Sequence, residues 1–219
     1  LRFFMILLAS VLTASGMDWV LQDHPLLKGK RTVEHWLVPM FTALVSGMSL
    51  YFLPQNSLWW LGFGLGGVFL VLVFWAEYVV VSPGDTNYPS AVVVLTVVSF
   101  ALHLTLMLAL QYANTRLLLL IPALFLATFF VSLRTLNLRL RGKWRFAWAF
   151  GIALVIIQVS AGLFYWKLSP IRFGLLILGG LYALTSLAAS LIEGIPLRQA
   201  WTEPVTMLAF VWATGFIVG

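Results

Sequence analysis

Three side chains could do chemistry where they lie: Glu77 in VFWAEYVVV, His103 in SFALHLTLMLALQ and Gln158 in ALVIIQVSAG. A carboxyl, an imidazole and an amide along one path would suit a small transporter or channel. Alone, the imidazole has two further uses. It can bond across helices to a hydroxyl or carbonyl, or serve as the single axial ligand that a (bacterio)chlorophyll magnesium needs. On the second use the expected cofactor is a (bacterio)chlorophyll, or a carotenoid at the periphery. A six-coordinate haem would want a second strong ligand, and His24 and His35 lie in a loop. With spans three and four antiparallel at ~1.5 Å per residue, Glu77 and His103 differ in depth by ~12 Å. A direct dyad between them is therefore not expected.

Other chemistry is excluded by what is missing. The chain has no cysteine, so disulfides and thiolate metal sites are ruled out. It carries no H-E-x-x-H, no G-x-S-x-G, no P-loop and no nucleotide-binding glycine pattern. Its acidic residues number seven and lie mostly outside the apolar runs, which equips an ion-coupled pump sparsely. The expectation is a non-catalytic protein.

The elements that must position these residues are set by solvent. Hydrophobic residues make up 62% of 219 positions and charged residues 9%, too few for a hydrated shell, so lipid must face most of the surface. Apolar runs at 3–21, 36–53, 58–81, 91–111, 117–133, 146–166, 173–192 and 205–219 approach the ~20 residues that cross a bilayer as a helix. Runs such as LLLLIPALFLATFF do not alternate as barrel strands would, and lipid leaves a spanning backbone no partner outside its own helix. The fold class expected is all-α: a polytopic transmembrane bundle of about eight spans forming one domain over 1–219. The connections 54–57, 82–90 and 112–116 are short and rich in turn formers. Both ends of the chain read as clipped. LRFFMILLASVLTASG resembles a signal peptide, although a retained first helix is the preferred reading.

Small residues mark where helices can approach. Gly62 and Gly66 share a face of span three, and Gly179, Ala183, Ser186 and Ser190 repeat the spacing on span seven. Tryptophans 19, 36, 59, 60, 144 and 166 lie at span ends, where indoles favour the headgroup level, while Trp75 and Trp212 lie deeper.

Charge sets orientation. With eight spans, Arg2, Arg116, Lys167 and Arg172 fall on one side. Lys28, Lys30, Arg31, Arg134, Arg139, Arg141, Lys143, Arg145 and Arg198 fall on the other, which is expected to face the cytoplasm. The net charge of +6 thus points to anionic headgroups and membrane orientation, not to nucleic acid. The richest stretch is RTLNLRLRGKWR, 134–145. Its Arg134, Arg139, Arg141, Lys143 and Arg145 are expected to reach lipid phosphates, with helix five overrunning the bilayer until Gly142 stops it.

VFWAEYVVVSPGDTNYPSAVVV, taken with RTLNLRLRGKWR, resembles uncharacterised multi-pass inner-membrane proteins of filamentous anoxygenic phototrophic bacteria, over residues 36–219. The resemblance implies a bacterial inner-membrane protein attached to photosynthetic or respiratory machinery, and no functional residue is carried over from it. The leading expectation is a non-catalytic accessory subunit packed among other transmembrane subunits of an energy-converting complex, of the reaction-centre–light-harvesting type. The alternative is the transporter or channel with Glu77, His103 and Gln158 along its path.

Overall fold

The computed structural model describes the chain except for residues 1, 23, 26, 28–31, 54, 167 and 219, and except for the side chains of residues 2, 52 and 218. Four of the basic residues used to orient the chain (Lys28, Lys30, Arg31 and Lys167) lie outside the described residues, as do Pro54 of the first tight loop and the side chain of Arg2.

Among the described residues the structure is helical throughout. The order is α1 Arg2–Gln22, a 3-10 turn Val33–His35, α2 Leu37–Phe52, α3 Ser57–Val80, α4 Tyr88–Tyr112, α5 Leu117–Arg139, α6 Phe146–Phe164, α7 Pro170–Ile192, the single turn α8 Leu197–Ala200 and α9 Thr202–Val218. Each apolar run read from the sequence is a helix. Six of them (α1, α3, α4, α5, α6 and α7) are long and apolar enough to cross a membrane. Helices α2 and α9 have 16 and 17 residues. At ~1.5 Å per residue they reach ~24–26 Å, short of a ~30 Å hydrocarbon core.

Local sequence sets the ends. The Asn56 side chain accepts from the Leu58 amide at 3.0 Å and caps α3. Ser169 accepts from the Arg172 amide at 3.4 Å, with Pro170 as the first residue of α7, where a missing N–H costs nothing. Helix α5 does overrun its apolar run, to Arg139. Arg141 and Gly142 then take φ of +51° and +86°, and the Gly142 amide closes the turn on the Asn137 carbonyl at 2.9 Å.

The chain forms two compact units, Leu1–Leu106 and Met107–Gly219. In the first, α2 packs between α1 and α3. Glycines make this packing possible: a Cβ on Gly47 would lie 2.9 Å from Ile6, on Gly66 3.2 Å from Ser46, and on Gly62 3.2 Å from Leu50. The Gly62–Gly66 face expected to receive a helix therefore receives the chain's own α2. In the second unit α7 is the central helix, packed on α9, α6 and α5. Gly179 lies beneath Trp212 and Val211 of α9, and Ala183, one turn on, is also buried. The core there is Leu124, Leu136, Ile156, Phe173, Ile177 and Leu181.

Candidate functional site

In the first unit, His24 and residues 32–36, between α1 and α2, lie against the ends of α1 and α3. The 3-10 turn closes with the His35 amide on the Thr32 carbonyl at 2.9 Å, which directs the His35 imidazole inward. Its Nδ1 lies 2.7 Å from Oε2 of Glu77, and both side chains are buried. With a proton on Nδ1 the imidazole donates to the carboxylate. A buried carboxylate needs such a partner, because low dielectric makes an unpaired charge very costly.

Two further anchors flank the pair. Asp18, near the end of α1, accepts from the Thr32 hydroxyl, from the Trp36 indole N–H at 3.2 Å and from Gln22 at 2.8 Å. His24 Nε2 lies 3.4 Å from the Ser82 hydroxyl, and its ring meets the edge of Tyr78 at 4.6 Å between centroids. His24, Thr32, His35 and Trp36 are thus tied to α1, to α3 or to the end of α3 through named side chains. The pairing of a carboxyl with an imidazole in a membrane helix bundle can hold helices in register or hold a proton.

The members of the predicted trio have different surroundings. Glu77 pairs with His35, Gln158 lies on the exposed side of α6, and His103 stands alone. Neither ring nitrogen of His103 has a hydrogen-bond partner among the described residues, and the side chain is fully buried. The expected bond to a hydroxyl or carbonyl is therefore absent: Ser99, one turn away, spends its hydroxyl on the Leu95 carbonyl at 2.7 Å. An unsatisfied buried polar group is destabilising, so His103→Leu is expected to raise stability by about 1 kcal/mol and to leave any absorption band unchanged. Unfolding in detergent, together with a difference spectrum of the variant, checks both outcomes. A lower midpoint or a lost band would reinstate His103 as a working ligand.

The basic stretch also differs from expectation. Because α5 continues to Arg139, Arg134 is buried and donates to Asn137 Oδ1 at 2.9 Å. Arg139 makes a two-pronged contact with Glu193 at 3.2 and 3.3 Å and reaches Ser186 and Ser190 on α7 at 3.3 and 3.1 Å. Glu193 and the serines thus draw Arg139 into a clamp between α5 and α7. Nearby, Glu203 of α9 accepts from Tyr182 at 2.8 Å. Of the five basic residues expected at the membrane surface, Arg141, Lys143 and Arg145 are exposed, with no such partner among the described residues.

A family model for proteins of unknown function, DUF5656, matches residues 1–218. The chain belongs to this family. No curated protein and no solved structure matches it. Membership adds no site residue to those seen here. Sequence reasoning missed His35, Asp18, Thr32 and Trp36. One signal was present: Glu77 lies four residues from the predicted end of its run, the depth of the loop that carries both His24 and His35.

Proposed function

We propose that the chain is a non-catalytic accessory subunit that packs in a larger energy-converting complex of a bacterial inner membrane, a photosynthetic one on the resemblance noted above. The single observation that carries this reading is the exposure of α3. Only 11% of its apolar stretch is buried, against 56% for α7. Its outer side presents Trp60, Leu61, Val68 and Val71, with Gly64 and Gly67 between them and nothing within 4 Å of a Cβ at either glycine. Small residues facing outward admit a second transmembrane helix to close range. The polar clusters support the same reading, because each ties the chain's own helices together and leaves α3's outer face apolar.

The test is purification from native membranes in a mild detergent. The wild-type chain should arrive with stoichiometric transmembrane partners, and Gly64→Leu/Gly67→Leu should lose most of them while keeping its unfolding midpoint. Arrival alone, or as a homo-oligomer, would overturn the subunit reading in favour of the transporter. That second reading is favoured by one observation, the buried His35–Glu77 pair, in which Glu77 would share a proton with His35 and not with His103 or Gln158.

The orientation follows from the proposed eight crossings, with residues 134–145 cytoplasmic. Single cysteines report on it cleanly in a chain without any. Position 137 is buried, so Lys143→Cys and Thr86→Cys are the cytoplasmic reporters and Asn56→Cys the opposite one, all three being exposed. In intact cells an impermeant reagent should label position 56 alone. Labelling of position 143 reverses the topology.

A further inference from the structure

An open apolar groove of 370 Å³ runs between α6 and α7 in the second unit, walled by Ala147, Trp148 and Val155 on one side and Leu184 and Leu191 on the other, with Gly151 in its floor. We propose that it seats one acyl chain of an anionic phospholipid, with the lipid phosphate held by Lys143 and Arg145. This proposal does not depend on the accessory-subunit reading.

The groove's length selects its occupant. From Ala147 to Val155 at ~1.5 Å per residue it covers ~12 Å, close to the ~15 Å of one leaflet's hydrocarbon and less than half of what a crossing helix would need. One end of the groove is polar and positive. Arg145 precedes Ala147 by two residues and Lys143 by four, so their backbones lie within ~7 and ~14 Å of the groove mouth, distances that long basic side chains bridge. Both are exposed, as is Arg141. The acids in this part of the unit do not cancel them: Glu193 is paired with Arg139, and Glu203, held by the neutral hydroxyls of Tyr182 and Ser186, leaves one negative charge against the exposed Arg141, Lys143 and Arg145. Trp148, in the groove wall and 42% exposed, adds an amphipathic ring of the kind that sits where acyl chain meets headgroup. An apolar slot of one leaflet's depth that ends in unneutralised positive charge matches a lipid with a negative headgroup.

The experiment is native mass spectrometry of the full chain, delipidated in detergent and then offered equal amounts of phosphatidylglycerol and phosphatidylcholine. The wild type should retain one phosphatidylglycerol in clear preference. Lys143→Gln/Arg145→Gln changes two exposed side chains and should weaken that preference by roughly fivefold per charge removed, with phosphatidylcholine, whose choline offsets its phosphate, losing less than phosphatidylglycerol. Gly151→Leu fills the floor of the groove, and since nothing lies within 4 Å of a Cβ there, the fold should tolerate it while retention of either lipid falls. Equal retention of the two lipids by the wild type, or an unchanged preference in the double variant, would overturn the proposal. So would high-yield cross-linking of Val155→Cys to another polypeptide in native membranes, which would place a partner helix in the groove.

Discussion

Glu77→Leu is expected to destabilise the chain by about 3 kcal/mol, because it removes one partner of a buried pair and leaves the other behind. Glu77 is fully buried and 2.7 Å from His35, whose side chain is itself 8% exposed, so water cannot replace the lost carboxylate. His35→Leu should cost a similar amount for the reciprocal reason. The double variant should recover much of the loss, since a buried ion pair exchanged for apolar side chains is often neutral. A double-mutant cycle from reversible unfolding in detergent measures the coupling. Additive losses would show that the two side chains do not act on each other. The same set separates the two functional readings: if the pair only ties the connection to α3, the stable double variant keeps partner retention, whereas a proton carrier loses transport in all three variants.

Gly179→Leu is expected to cost about 2–4 kcal/mol. A Cβ on Gly179 would already lie 3.1 Å from the Trp212 ring and 3.2 Å from Val211, so a full leucine must displace the indole. The indole also donates to the Leu176 carbonyl at 3.1 Å, and its eviction breaks that bond. Overpacking of a tight contact costs about 1–3 kcal/mol, and a lost hydrogen bond adds about 1 kcal/mol. Gly179→Ala should cost far less, because the ring needs to give by only a few tenths of an ångström. Gly215→Ala is the matched control, with its nearest neighbour at an ordinary 3.5 Å from the new Cβ. Unfolding midpoints of the three variants should therefore fall in that order. Equal midpoints for Gly179→Leu and Gly215→Ala would mean that α9 adjusts freely against α7.

The helices were legible because lipid permits few alternatives: an apolar run of sufficient length must satisfy its backbone internally. The stop at Gly142 was legible for a similarly local reason, a residue suited to positive φ placed after the last helical turn. The packing glycines were readable as small, but not which helix they would meet, since Gly62 and Gly66 carry no mark of α2. Side-chain partners were the least readable. Helix α4 is apolar on all sides, so nothing in its periodicity says which way His103 points or what lies opposite. Arg134 and Arg139 were expected on the overrunning end of α5 reaching lipid phosphates, but nothing local in the sequence says that they turn instead onto Asn137 and onto Ser186, Ser190 and Glu193. His35 was seen only as a loop histidine, and its pairing with Glu77 was missed because it sits outside any span, although that is the depth at which Glu77 needed a partner.

The spacing of these partners along the chain has a consequence for biogenesis. Asp18 waits only 14 residues for Thr32 and 18 for Trp36, and when Glu77 emerges His35 has already been made, 42 residues earlier. A chain threaded into the bilayer from its N-terminus can give each of these acids a hydrogen-bond partner almost as it arrives. Arg139 has no such convenience: Ser186, Ser190 and Glu193 follow 47, 51 and 54 residues later. Until α7 is synthesised, Arg139 has none of these three partners, so the clamp between α5 and α7 can close only after all 54 residues of that interval have been made.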